Sequence, residues 1–281
     1  VALGTLYVVA TPIGNLQDFS PRAQQTLAKV NWIAAEDTRH SRTLLQHFRL
    51  NTPLIALHEH NEQTASASLL TRLLAGESGA LISDAGTPLI SDPGFLFIQT
   101  VHAHQIPVVP IPGASAVISA LSVAGFPADK FNFEGFLPAK SHARRECLQN
   151  LATVTRTLVF YEAPHRIVET LEDMAEIFGA TRQATLVKEL TKVYETVLHA
   201  PLPEIISWLT AKTERQKGEF VIVVAAAPPP DIQEISPEAQ RILKLLREAM
   251  PLKQAAKLTS EITGLSKNSL YSLALAQEKD A

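Results

Sequence analysis

The chain has 281 residues, 46% of them apolar, a net charge of −3 and a single cysteine. That length accommodates one large domain or a few small ones with packed cores. The near-neutral charge excludes a globally basic nucleic-acid binder, so any polyanion has to be met by local patches. Cys147 alone excludes an intrachain disulfide, no apolar run reaches membrane-spanning length and no leader-like segment opens the chain, which together predict a cytoplasmic protein.

The first part alternates strand and helix signals. Leu6–Ala10 is a short apolar run that stops at the turn-forming Thr11-Pro12-Ile13-Gly14-Asn15. Ser20-Pro21 then has the form of a helix start, with serine as N-cap and proline in the first turn. Further apolar runs follow at Trp32–Ala35, Leu54–Leu57, Ala80–Ile82 and Val108–Ile111. They end in Glu36-Asp37-Thr38-Arg39, His58-Glu59-His60-Asn61, Ser83–Gly94 and Pro112-Gly113-Ala114-Ser115 respectively. Apolar runs separated by helical stretches predict a parallel, doubly wound sheet, assigned to a first domain at residues 1–120.

The rhythm then changes. Phe131–Leu137 reads as a strand, followed by a basic helix from Ser141, a strand at Thr157–Glu162 and a helix opened by Pro164 and closed by Gly179. Ala184–Val187 and Tyr194–Val197 read as an antiparallel pair, and Glu219–Val224 as the last strong strand. These predict a mixed α/β domain at 121–227. Pro228-Pro229-Pro230-Asp231 reads as a stiff linker into a helical segment, 228–281. Its first helix carries the stripe Ile242, Leu245, Leu246 and Ala249, and two shorter helices split at Gly264. Between Arg241 and Ser272 stand six Lys/Arg and two Glu, a local charge of +4. Gly264–Tyr271 has the form of the turn and second helix of a helix-turn-helix, although Thr259, Ser260 and Thr263 occupy positions where apolar residues are usual, so the expectation is an RNA-docking module rather than a DNA reader.

In a parallel sheet, the loops that follow the strands lie along one edge, where ligands bind. Here those loops are small, polar or rich in Gly and Pro, which predicts a pocket built mainly of backbone and small side chains. The loop at 83–94 stands out, with two Ser-Asp-x-Gly units, Ser83–Gly86 and Ser91–Gly94. Neither a dinucleotide fingerprint nor a Gly-x-x-x-x-Gly-Lys-Ser/Thr phosphate loop occurs, and the glycine-rich first loop of the common Rossmann-type methyltransferases is missing. The pairs His58/His60 and His102/His104 have no cysteine partner, and no metal site is expected.

Thr11–Leu16, Glu36–Arg39, Ser83–Gly94, Pro112–Ala116, Tyr161–Arg166, Lys188–Lys192 and Gly218-Glu219-Phe220, taken in order along the whole chain, resemble the ribosomal RNA small subunit methyltransferase I family of the tetrapyrrole-methylase-like superfamily. The resemblance implies a class III S-adenosylmethionine (SAM) methyltransferase with two α/β domains and SAM folded in the cleft between them, plus a small C-terminal helical domain. It implies methylation of the ribose 2′-oxygen of a cytidine in the decoding region of 16S rRNA, the small ribosomal subunit as partner, and a homodimer. It implies SAM contacts at Pro12, Gly14, Asp84, Gly86, Thr87, Pro88, Ala114, Ser115, Tyr161, Glu162, Ala163, Glu219 and Phe220. Gly86-Thr87-Pro88 matches the superfamily's Gly-Asp-Pro-like turn with Thr in place of Asp.

A ribose hydroxyl is a poor nucleophile at neutral pH, so a base is expected to assist. The candidates at strand ends are Glu36, Asp37, Lys188 and Glu189, with no choice among them. Arg39, Arg42, Arg144, Arg145, Arg166, Lys253, Lys257 and Lys267 are candidates for holding RNA phosphates.

Overall fold

The computed structural model describes residues 3–228 and 235–279, so the proposed proline linker lies outside the described residues from 229 onward. The chain divides into two compact units, Val1–Ala226 and Ala227–Ala281.

The first unit begins with β1 (Leu6–Val9), α1 (Pro21–Lys29), β2 (Trp32–Ala35), α2 (Thr38–His47), β3 (Leu54–Ala56), α3 (Glu62–Leu74), β4 (Gly79–Ile82), α4 (Phe95–Ala103) and β5 (Val108–Ile111). The five strands form one parallel sheet in the order β3-β2-β4-β1-β5. The apolar runs are continuous because both faces of the sheet are covered. Within β2, Ile33 and Ala35 join a core with Ala23, Leu27 and Leu45 of α1 and α2. Trp32 and Ala34 join the opposite core with Leu69, Leu73, Phe97 and Val101 of α3 and α4. Ser20 caps α1, its side chain accepting from the Ala23 backbone N–H at 3.1 Å, and Pro21 stands in the first turn, as expected.

The second sheet is built from β6 (Phe131–Phe136), α6 (Ser141–Leu151), β7 (Thr157–Glu162), α7 (Ile167–Phe178), β8 (Gln183–Lys188), β9 (Thr196–Pro201), α8 (Leu202–Thr210) and β10 (Phe220–Val224). Its order is β6-β7-β10-β8-β9, with β6 and β7 parallel and the other pairs antiparallel. One face packs on α6, α7 and α8 through Leu148, Leu171, Met174, Ile205 and Leu209.

The other face is covered by α5 (Ala116–Ala124), whose Val117, Ala120, Leu121 and Ala124 meet Val159, Val187, Val221 and Val223. This helix follows β5 of the first sheet yet belongs to the second, so a boundary at 120 cuts through it; the crossing comes earlier, in the loop 112–115. The helix expected to open at Pro164 starts instead at Ile167, because the Glu162 side chain holds Ala163–Arg166 as a turn.

The second unit contains α9 (Pro237–Ala249), α10 (Leu252–Thr263) and α11 (Lys267–Lys279), three helices of similar length rather than one long and two short. They close around Ile235, Ala239, Leu243, Ala255, Ala256, Leu270, Leu273 and Ala274. The buried stripe of α9 is turned from the expected one: Ala239 and Leu243 are buried, while Leu245 is 55% exposed. Thr259 is fully buried where an apolar residue is usual, and its hydroxyl donates to the Ala255 carbonyl one turn back at 2.8 Å, which removes the cost of burying it. Gly264 ends α10 in the left-handed conformation, φ +73°.

Candidate active site

The loops that follow β1, β4 and β5 are stitched to one another. Thr11 and Gly86 exchange two backbone hydrogen bonds, Thr11 N to Gly86 O at 2.9 Å and Gly86 N to Thr11 O at 3.1 Å. The buried Thr11 hydroxyl donates to Ser83 O, and the Thr87 hydroxyl donates to Ala114 O at 3.0 Å. Thr87, the departure from the superfamily turn, thus ties the β4 loop to the β5 loop. Gly86 has φ +83°, and a Cβ there would stand 3.1 Å from Ile13 Cγ2. The turn therefore takes glycine both for its backbone conformation and for the space around it.

Facing this floor are the ends of β6, β7 and β8 and the start of β10. Between the two walls lies a cavity of about 440 Å³, lined by Ile13, Glu36, Asp84–Thr87, Ile90–Asp92, Ser115 and Ala116 on one side. Phe136, Tyr161–Pro164, Val187, Leu190 and Glu219–Val221 line the other. The Glu162 side chain is fully buried and braces its wall: it accepts from Ala163 N at 2.7 Å, from Arg166 at 2.7 and 2.9 Å and from the Thr170 hydroxyl at 2.6 Å. Arg166 also donates to Leu137 O at 2.9 Å, which joins the β6 and β7 ends.

The lining is anionic. It contains five carboxylates, Glu36, Asp84, Asp92, Glu162 and Glu219, and no Lys or Arg among the described residues. Asp84 accepts from Asp37 N at 3.1 Å and anchors the end of β2. Burial pushes Asp92 up to about 6, the charge of Glu36 adds to it, the Ser83 hydroxyl works against both, and Asp84 contributes further upward pressure. Burial, then Asp84, raises Glu36 above the usual carboxylate range. Burial pushes the Tyr161 phenol up to about 12, so it stays neutral at physiological pH.

Comparison with known proteins decides which family builds this cleft. The model of the Tetrapyrrole (Corrin/Porphyrin) Methylases matches residues 5–206, and that of the RsmI C-terminal HTH domain matches 233–278. The chain is 53% identical over 279 residues to the ribosomal RNA small subunit methyltransferase I of Pseudomonas aeruginosa, covering 99% of each. To the protein of the same name from Escherichia coli O157:H7 it is 48% identical, covering 98% of this chain and 96% of that one. The chain belongs to the ribosomal RNA small subunit methyltransferase I family of tetrapyrrole methylases. Among solved structures, uroporphyrin-III C-methyltransferase from Thermus thermophilus complexed with S-adenosyl homocysteine superposes with a TM-score of 0.53 at 18% identity, over 78% of this chain and 96% of that one, a likeness in fold.

SAM is the methyl donor of this methyltransferase family. The residues present fit it: the cavity is of ligand size, its floor offers backbone and small side chains for close approach, and its carboxylates suit a sulfonium cation. Asp84, Gly86, Thr87, Ser115, Tyr161, Glu162, Ala163, Glu219 and Phe220 all reach the lining. Pro12, Gly14, Pro88 and Ala114 do not. Pro12 and Pro88 are buried behind the wall and Ile13 fronts it, Ala114 receives Thr87, and Gly14 lies against Thr191 and Lys192.

The candidate bases separate. Glu36 alone among them lines the cavity. Asp37 caps α2 through Arg39 N at 2.8 Å, and its hydrogen bonds from Arg39 hold it below the usual carboxylate range. Lys188 is 8% exposed and lies outside the lining. Glu189 accepts from Lys192 and from Glu219 N; burial raises it, but those partners outweigh burial and hold it low.

Three RNA candidates are corrected. Arg144 is buried, its side chain 3% exposed, and donates to Asp173 at 2.6 Å. Arg145 is shared between Asp173 and Glu176, and Arg166 is committed to Glu162. An arginine spent inside the protein has no fork left for a phosphate. Arg39, Arg42, Lys253 and Lys257 are exposed, while Lys267 is half-buried; Arg39 pairs with Asp37, and Lys257 with Glu261 at 3.7 Å.

Asp92, Ile90, Phe136 and Leu190 were not among the expected cofactor contacts, yet all line the cavity. Asp92 and Ile90 sit in the loop 83–94 and Leu190 in the segment Lys188–Lys192, which were the available signals; Phe136 gave none beyond its position near a strand end. Among the described residues no His/Cys/Asp/Glu group is arranged to hold a metal. No helix among them is long and apolar enough to cross a membrane.

Proposed function

We propose that the protein methylates the ribose 2′-oxygen of a cytidine in the decoding region of 16S rRNA, using SAM. The observation that carries this reading is the 53% identity over the whole length to a ribosomal RNA small subunit methyltransferase I. The acidic cleft and the separate helical unit with its local charge of +4 support it. A cytoplasmic location is part of the same proposal. The homodimer implied by the family resemblance belongs to the same proposal, as does a division of labour in which residues 1–227 carry the cofactor cleft and 228–281 dock RNA.

SAM bound in the cleft supplies a methyl group already activated by its sulfonium. The chain then has three tasks: to hold the acceptor hydroxyl in line at about 3 Å, to keep water out and to receive one proton. The stitched floor around Gly86-Thr87 and the Glu162-braced turn at Ala163 provide rigid walls. Glu36 is the residue assigned to the proton, since it lines the cavity and burial raises its basicity. Arg39 and Arg42, exposed on the helix that starts just beyond Glu36, are the residues assigned to backbone phosphates outside the cavity.

The test is methyl transfer from labelled SAM to purified small ribosomal subunits lacking the modification, followed by nuclease digestion and mass spectrometry. The expected product is a single 2′-O-methylcytidine in the decoding region. Label on a base, or transfer to a porphyrin precursor in preference to RNA, overturns the reading.

A further inference from the structure

The end of β6 carries a bulge at the rim of the cavity. Its register against β7 runs Phe133 to Val159, then Gly135 to Phe160 and Phe136 to Tyr161, so one extra residue is inserted at Glu134. Gly135 takes φ +66° at that bulge. In an unbroken strand, residues three apart point to opposite faces. Here Phe133 and Phe136 both reach Tyr161, with ring centroids 4.9 Å and 5.5 Å away. The bulge has turned Phe136 toward the cavity, as bulges beside active sites do.

Phe136 remains 56% exposed although it lines the cavity. A lone exposed apolar side chain on a surface is ordinary. One that is aimed by a bulge, tilted against a tyrosine ring and set at the mouth of a ligand cavity is a stacking surface. Ile90, 37% exposed, forms part of the same mouth. Because the lining holds carboxylates and no cation among the described residues, a polynucleotide cannot be drawn in by its phosphates. The contact that positions the acceptor inside the mouth has to be neutral, and base–aromatic stacking is neutral and available to any base.

We infer that the exposed face of Phe136 is a nucleobase subsite, on which the base of the acceptor nucleotide stacks while its ribose enters the cleft. This rests on the reading of the acceptor as RNA. A cofactor held throughout the reaction packs against the buried floor, whereas the acceptor arrives from outside and meets the exposed ring.

The experiment compares wild type with Phe136→Ala, Phe136→Leu and Phe136→Trp, reading KM and kcat for small-subunit RNA and the Kd for SAM by calorimetry. A stacked base contributes about 1–3 kcal/mol, so Phe136→Ala is expected to raise the RNA KM at least about fivefold while the SAM Kd stays within about twofold. Phe136→Trp restores KM and Phe136→Leu does not, since leucine keeps apolar area without a ring. An unchanged KM in Phe136→Ala, or rescue by leucine equal to tryptophan, overturns the subsite. A parallel loss of SAM affinity assigns the ring to the cofactor and also overturns it. If wild type methylates no RNA, the acceptor reading itself falls and takes the subsite with it; if wild type is active and only the variants behave as wild type, the subsite alone falls.

Discussion

Gly86 meets two demands at once, a backbone at φ +83° and a neighbour, Ile13 Cγ2, that a Cβ would approach to 3.1 Å. Gly86→Ala is therefore expected to destabilise the fold by about 1–2 kcal/mol and to weaken SAM binding, read by urea unfolding and calorimetry on the same preparation. A wild-type SAM Kd in a folded Gly86→Ala protein would show that the turn does not face the cofactor. Asp92 makes a prediction of opposite sign. Its folded-state pKa of about 6 lies above the unfolded value, so the native state holds its proton longer. Stability then falls as pH rises from about 4 to about 6, and the cost, about 1–2 kcal/mol with solvent screening of this half-buried group, persists above that range. Asp92→Asn removes the cost: without ligand it should raise Tm by several degrees at pH 8 and by almost nothing at pH 4. An equal shift at both pH values would contradict the linkage. Gly86 could be read from the sequence because a turn after an apolar run demands such a residue. Asp92 could not, because what perturbs it is first its burial in the folded cleft and then Glu36, which comes from the end of another strand, β2.

At the scale of elements, the turn between β7 and α7 depends on one buried ion pair. Arg166→Leu leaves the buried Glu162 carboxylate without its cation, an arrangement that costs about 3–5 kcal/mol. Arg39→Leu removes an exposed arginine and is expected to change stability by no more than about 0.5 kcal/mol. Denaturant unfolding of the two variants measures the contrast, and adding Glu162→Gln to Arg166→Leu should recover part of the loss, because the orphaned charge goes with it. Equal stability of the two single variants would mean that Arg166 does not hold the turn. Both arginines looked alike as candidates for phosphate contact; burial separates them, and burial is a tertiary property. Nine of the ten strands among the described residues, by contrast, announced themselves as apolar runs bounded by turn residues; β9 did not, since the expected run Tyr194–Val197 meets the observed Thr196–Pro201 at only two residues. The helix α5 was not among the helices expected from the sequence, and its apolar residues do not say which sheet they will cover. The stripe of α9 was misplaced for a related reason: with apolar residues at 242, 243, 245 and 246, several faces satisfy helical spacing, and packing against α10 and α11 chooses among them.

For the whole molecule, the decisive point is that every residue lining the cavity belongs to the first unit, while the second unit has a core of its own. The chain carries −3 in all, yet the stretch from Arg241 to Ser272 carries +4, so the positive charge available to RNA is concentrated away from the sequence that builds the acidic cleft. Cofactor binding and RNA binding should therefore separate on truncation. A chain ending at Ala226 is expected to bind SAM within about twofold of the full-length protein, because none of the lining is lost. Its kcat/KM on small-subunit RNA is expected to fall about tenfold or more. The salt dependence of its RNA binding should also flatten, since each phosphate contact removed lowers the slope of log K against log salt by about 0.7–0.9. Exchanging Lys253, Lys257 and Lys267 for glutamine in the full chain should reproduce part of that flattening with SAM binding unchanged. Wild-type kcat/KM in the truncated chain would leave the helical unit a packing element and put the whole of RNA recognition on the first unit, around Arg39, Arg42 and the aromatic mouth of the cleft.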